Sequence, residues 1–399
     1  MLLASGASAQ ARKPKPVPAA SAAFEQTKQQ AHAAREADKL DEATALYLKA
    51  LKLQPRWKEG WWFLGTLFYE RDRYVEGRDA LRNLVALNQE FGPAFTLLGL
   101  CEFQLREYEQ SLLHLRRGNE MGLGDNDELL RIARYQEAML HVRFEQFELA
   151  HDVTIKYVLK KEPTPETLEL LGLIMLRLPY LPSELPAAKR EVVNKAGRAA
   201  FWAASDDVAR AQREYRELIA NFSNEPGVHY AYGMFLVRSD SDAGIAELKR
   251  ELELSPKHVT ARLLLAFEYL KRNEWALGLP YAEQAVALAP NLFAAYNAAG
   301  RLALEVGQTD RAIQALEKGV TLAPTSPEMH FALSRAYIKA GRVKDAEKER
   351  AEFIRLDKLR AAQQAKAAEQ AQGRAQSDTN PGTKSGTTPG TTPNEKPQP

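Results

Sequence analysis

The 399-residue chain has a single cysteine, Cys101. One cysteine excludes an internal disulfide and any zinc site of the multi-cysteine kind. Cys101 shares an apolar helical stripe with Leu98 and Leu105, so it reads as a small buried residue. An excess of one charge is missing too: 54 basic residues face 52 acidic ones, a formal net charge of +2. No strong field for nucleic acid follows from that balance, and the basic runs at Arg12, Lys13, Lys15 and at Lys348, Arg350 are short. No nucleic-acid partner is therefore expected. Nowhere are there 18 consecutive apolar residues, so no membrane-spanning helix is expected. Nor does the chain contain GxxxxGK[ST], GxSxG or HExxH. The seven histidines (His32, His114, His141, His151, His229, His258 and His330) make no i, i+4 pair. His229 and His330 fall near expected helix starts and read as packing or groove-lining residues. With no nucleophile, base and orienting group to assemble, no catalytic activity, cofactor or metal is expected.

What is present is a period. Single compact cores rarely grow beyond about 250–300 residues, so a chain of this length must divide or repeat. Pro256, Pro290 and Pro324 are spaced 34 apart, and each closes a similar segment: Leu252-Glu-Leu-Ser-Pro256, Ala287-Leu-Ala-Pro290, Thr321-Leu-Ala-Pro324. Pro55 closes another, Leu51-Lys-Leu-Gln-Pro55. Proline cannot continue a helix and restrains the residue before it, so each marks a helix end. Between the prolines small residues recur in register: Ala266, Gly278 and Ala285 in one block, Gly300, Ala312 and Gly319 in the next. Large ones alternate with them: Leu265 and Tyr269, then Tyr296 and Leu316.

These residues resemble the tetratricopeptide-repeat family, in which small residues let the two helices of a unit approach and bulky ones fill the space to the next unit. The resemblance covers about 335 residues. It implies an all-α fold, an α/α superhelical solenoid of about ten helix-turn-helix units. The units are expected to fall in an N-terminal array over 24–175 and a C-terminal array over 192–360. The segment 176–191, with Pro179, Pro182 and Pro186, is expected to be a loop insertion. A polar, helix-forming stretch over 361–376 suits a capping helix, and the Gly-, Thr- and Pro-rich tail over 377–399 has almost nothing to bury.

At the other end, residues 1–11 look like the tail of a secretory signal peptide: Ala7-Ser8-Ala9 fits the small-x-small cleavage pattern, with Gln10 after the cut. The apolar stretch is short and no basic residue precedes it. Either the start lies upstream of Met1, or the stretch is an Ala/Ser-rich arm. The first reading is the expectation, with residues 12–23 a Pro/Ala-rich linker and the protein exported to the periplasm or beyond; the second would leave it cytoplasmic. The Leu-Pro-rich interruption also resembles exported bacterial members of the family.

In that family the first helix of each unit lines the binding groove. Carried onto this chain, the resemblance implies groove positions at Trp62, Thr66, Tyr69, Thr96, Leu100 and Phe103 near the N-terminus. Toward the C-terminus it implies Leu263, Phe267, Leu270, Asn297, Arg301, Phe331 and Arg335. Aromatic and arginine side chains are the types enriched where interfaces carry energy. The lysine and asparagine of the chaperone-tail clamp are absent: Lys28 is followed by His32, and Trp62 by Thr66. The expected function is a non-catalytic scaffold that binds a protein or peptide partner. The alternative is an accessory subunit that delivers substrate to a separate envelope enzyme.

Overall fold

The structure, a computed structural model, describes residues 19–378 except 125, 160 and 161. The segments 1–11 and 379–399, on which the signal and tail expectations fall, lie outside the described residues. Among the described residues every regular element is helical. The chain divides into two compact units between Val158 and Leu159.

The first unit holds four helical pairs: α1 (Ala19–Glu36) with α2 (Leu40–Leu53), α3 (Lys58–Glu70) with α4 (Tyr74–Leu87), α5 (Gly92–Gln104) with α6 (Tyr108–Met121), and α7 (Asp127–Arg143) with α8 (Phe147–Val153). The last continues into a π-helical turn, Thr154–Val158. The second unit opens with α9 (Pro165–Met175), against which α10 packs. Five pairs follow: α10 (Ala187–Ala204) with α11 (Val208–Phe222), α12 (Val228–Leu236) with α13 (Ser241–Leu254), α14 (Val259–Lys271) with α15 (Trp275–Leu288), α16 (Phe293–Glu305) with α17 (Thr309–Leu322), and α18 (Pro327–Lys339) with α19 (Val343–Asp378). Each unit is thus an α/α solenoid of stacked hairpins, with consecutive first helices side by side, α3 against α5, and α14, α16 and α18 in turn.

Two local devices set this repeat. Small residues on first helices admit a leucine 16 residues later: a Cβ on Gly65 would lie 2.7 Å from Leu81 Cγ, on Gly99 2.8 Å from Leu115 Cγ, and on Gly300 2.4 Å from Leu316 Cγ. Leu81, Leu115 and Leu316 are wholly buried, each contributing about 1.5–3 kcal/mol of apolar burial. The second device is the turn. Asp38, Asp72, Arg106, Glu145, Asp206, Asn273, Gly307 and Gly341 all have positive φ, and each lies two residues before the start of a second helix. One residue further on, a backbone N–H reaches back to close the first helix, as in Arg73 to the Phe68 carbonyl (2.8 Å) and Arg342 to the Tyr337 carbonyl (2.9 Å). The prolines act as the spacing predicts: α2, α13, α15 and α17 end at Leu53, Leu254, Leu288 and Leu322, two residues before Pro55, Pro256, Pro290 and Pro324.

Several boundaries differ from the sequence expectation. Helix α1 begins at Ala19, inside the stretch expected as linker over 12–23, because Ala-Ala-Ser-Ala-Ala is a strong helix-forming run. The Pro-rich segment does not separate two arrays. Helix α9 ends like a first helix, with Arg177 at positive φ and Leu178 donating to the Leu173 carbonyl, but no helix starts two residues further on. The chain instead runs through a 3-10 turn, Pro182–Glu184, burying Leu181 and Leu185, and α10 starts at Ala187 and packs back on α9. At the crossing a Cβ on Gly172 would lie 1.9 Å from the Val193 carbonyl oxygen, and one on Gly197 1.8 Å from that of Leu168. The division of the chain accordingly falls before α9 and not at 176–191. Finally, 361–376 is no separate capping helix. It continues α19, a single 36-residue helix, since the Ala-, Glu-, Lys- and Gln-rich sequence offers no proline to break it.

Candidate partner-binding face

The first-helix face of each unit can be built up residue by residue. In the first unit Trp62, Tyr69 and Phe103 are half-buried and pack beside the core under α3–α6. The Trp62 ring meets Phe91 edge-on at 5.1 Å. Tyr69 lies 5.8 Å from Tyr74, and Phe103 lies 5.8 Å from Tyr108, so one aromatic pair spans the same turn in two successive hairpins. Burial pushes the Tyr69 hydroxyl up to about 12, with Cys101 and Asp72 adding to the effect. These rings serve packing first and present only part of their faces. Thr96 and Leu100 are buried outright, because α5 is enclosed on nearly every side.

In the second unit the expected positions diverge. Leu263 is buried in the core of α14–α19 and offers no groove contact; the neighbouring hairpin covers it. Phe267 is half-buried against the same core. Phe331 is 49% exposed, its ring 5.2 Å from that of Phe353. Arg335 is exposed and donates to Glu305 Oε1 at 3.0 Å. Arg301 is half-buried and has no ion pair among the described residues. Burial, and then the like charge of Arg335, holds its guanidinium below its ordinary value, against the pull of Glu305. One turn back, the buried Oδ1 of Asn297 accepts no hydrogen bond within the described residues. Arg301 and Arg335 therefore bring together an unpaired planar donor and a second guanidinium held by one carboxylate. Such a group recognises carboxylates through paired N–H donors.

Sequence reasoning missed a set of buried polar ties between helices. Glu102 is wholly buried between Arg82 (3.0 Å) and His114 (2.6 Å). His229 donates from Nε2 to the Ser223 carbonyl at 2.9 Å and sets Nδ1 2.5 Å from Glu247. His330 repeats this with the Pro324 carbonyl at 3.0 Å and Glu349 at 2.6 Å. The available signal was a histidine near the start of a first helix followed 18 or 19 residues later by glutamate. All of these ties are internal and hold hairpins together. The Cys101 thiol is wholly buried, and burial pushes it up to about 12, so it stays protonated at neutral pH. Among the described residues no three His, Cys, Asp or Glu side chains cluster as a metal site would require, and no helix is long and apolar enough to cross a membrane.

Comparison with known proteins bears on this architecture. One tetratricopeptide-repeat model matches residues 28–90 and 263–327, and a second matches 303–376. No curated protein sequence matches the chain. Among solved structures, MamA from Desulfovibrio magneticus RS-1, from residue 41 to its end, is 23% identical, over 44% of this chain and 97% of that one, with a TM-score of 0.40. A MamA structure of AMB-1 is 20% identical, over 41% and 98%, with a TM-score of 0.38. One of MSR-1 is 19% identical, over 42% and 98%, with a TM-score of 0.37. Helical hairpins at a 34-residue period, glycines at several helix crossings and repeat models matched toward both ends lead to one assignment: the chain carries tetratricopeptide repeats, over residues 28–90 and 263–376.

Proposed function

We propose that this protein is a non-catalytic scaffold that binds a protein or peptide partner along the first-helix faces of its hairpins. The partner places an acidic group at Arg301 and Arg335. The observation that carries the reading is Arg301, a half-buried guanidinium without an ion pair among the described residues, beside a second arginine. A charge taken partly out of water with no internal partner is costly unless something else pairs with it. Half-exposed Phe267 and Trp62 supply apolar contact beside it or on the first unit.

Affinity capture with the full chain, followed by binding measurement on the captured partner, tests this. Arg301→Glu and Phe267→Ala in the second unit should each weaken binding by about tenfold or more, the scale of a hot-spot residue. Trp62→Ala and Phe103→Ala report on the first unit in the same way. Equal binding by wild type and by all four variants would remove the first-helix faces from the account. An enzyme among the captured partners, delivered substrate through the same faces, would favour the accessory-subunit form of the reading.

We further propose export to the bacterial envelope, on the sequence pattern at Ala7-Ser8-Ala9. Mass spectrometry of the N-terminus of the cellular protein should find it beginning at Gln10 or soon after. A mature protein that retains Met1–Ala9 would end that proposal.

A further inference from the structure

In a solenoid each hairpin is covered by the next, and among the described residues α18–α19 has no successor. Positions one repeat apart can be compared along α14/α15, α16/α17 and α18/α19. Leu304, near the end of α16, is 4% exposed, whereas Ile338, its counterpart in α18, is 59% exposed. Leu263 in α14 is 7% exposed, and Phe331, two repeats on, is 49% exposed. On second helices Val286 and Val320 are half-buried against the core, whereas Ile354 is 44% exposed. The apolar residues that make the stacking contact thus continue into the last hairpin, and their cover does not. A terminal repeat ordinarily turns a polar face outward. This one shows Phe331, Ile338 and Ile354, with Phe353 packed on Phe331.

We propose that this end face is the docking site for a second copy of the chain, two α18–α19 faces meeting about a two-fold axis. The face continues an interface that the protein already forms, since its apolar spacing is the one on which α16 and α18 stack. A further hairpin in the preceding register does not fit. At Gly319 the side chain of Met329 fills the space, to within 2.1 Å of where a Cβ would stand, and the corresponding position in the last hairpin is Phe353. Head-to-tail growth would have to seat this face on α1, whose exposed residues Glu25, Gln26, Gln29 and Gln30 are polar. An isologous contact needs only the one face and closes on itself. At the rim Arg355 is paired with Glu352 within each copy, so this guanidinium adds no net charge to the contact.

Sedimentation equilibrium on the full chain, from about 1 to 100 μM, tests the proposal. The wild type should reach twice the chain mass within that range. Ile338→Glu and Ile354→Glu, singly and together, should shift dissociation to concentrations at least tenfold higher. Both residues are exposed, so the far-UV circular dichroism should not change. Leu277→Glu, at an equally exposed residue of α15, should leave the dimer intact. A wild type that stays monomeric, a dimer indifferent to the double variant, or open-ended assemblies would each overturn it. Ile354 lies on a second helix, outside the first-helix faces tested through Phe267 and Arg301, so its single variant separates this reading from the partner-binding one.

Discussion

Glu251 on α13 is wholly buried, and its carboxylate accepts the Gly227 N–H at 2.9 and 3.0 Å and the Tyr230 N–H at 3.2 Å. Those donors open α12, where Gly227, at φ +88°, has no side chain with which to cap the helix. A residue from the neighbouring helix therefore does the capping, and Glu251→Ala should be costly. Two buried N–H groups lose their acceptor, at about 1–3 kcal/mol each. A negative charge at a helix N-terminus adds up to about 2 kcal/mol in a partly buried setting. Relief of the buried carboxylate's own desolvation offsets part of this. The expected net loss is about 3 kcal/mol, whereas Glu251→Gln, which keeps an oxygen acceptor, should lose about 1 kcal/mol. Because hairpins of an array need not unfold as one body, amide hydrogen exchange within α12 is the direct assay. The alanine variant should exchange there about a hundredfold faster than wild type. Exchange in α12 unchanged in the alanine variant, with urea stability within about 0.5 kcal/mol of wild type, would refute the capping argument.

Arg106, at φ +61°, occupies a backbone region that L-residues enter at a cost, so Arg106→Gly should raise urea stability by about 0.5–1 kcal/mol. Gly307→Ala, at φ +87° in the corresponding turn, should lower it by a similar amount or more. At Glu137 burial works to raise the carboxyl, but nearby His141, hydrogen bonds from Arg134 and Asn119 and the Arg134 charge prevail and hold it below 4.5. A depressed carboxyl stabilises the fold above its unfolded value, and that contribution is lost as pH falls through the folded one. The α7 region should therefore weaken on acidification below 4.5, and Glu137→Gln should flatten that acid limb in a pH series of urea melts.

The repeat was legible because it is written in residues that act locally. Proline ends a helix wherever it stands, and Gly65, Gly99 and Gly300 admit their leucines at a fixed offset. What was not legible depends on long-range packing. The segment after α9 shows three prolines, but nothing in it announces that α10 folds back onto α9 through Gly172 and Gly197. The length of α19 escaped for the opposite reason: a shift from apolar to polar composition at about residue 361 marks where packing ends, not where the helix does. Positions carried over by register separated in the same way. Leu263 and Phe331 hold one place in the repeat, but the following hairpin covers the first, and among the described residues none covers the second. Arg301 was named from the pattern, but its missing counter-charge became visible only once Arg335 was seen to take Glu305.

The claim that the first-helix faces are the working surface has one direct measurement. A photo-cross-linking residue can be placed in the native cell at Thr66 or Arg335 on first helices, and at Leu113 or Leu277, exposed at 59% and 56%, on second helices. The account predicts that a discrete protein adduct forms from Thr66 or Arg335 and not from Leu113 or Leu277. Adducts from the second-helix positions alone would contradict it.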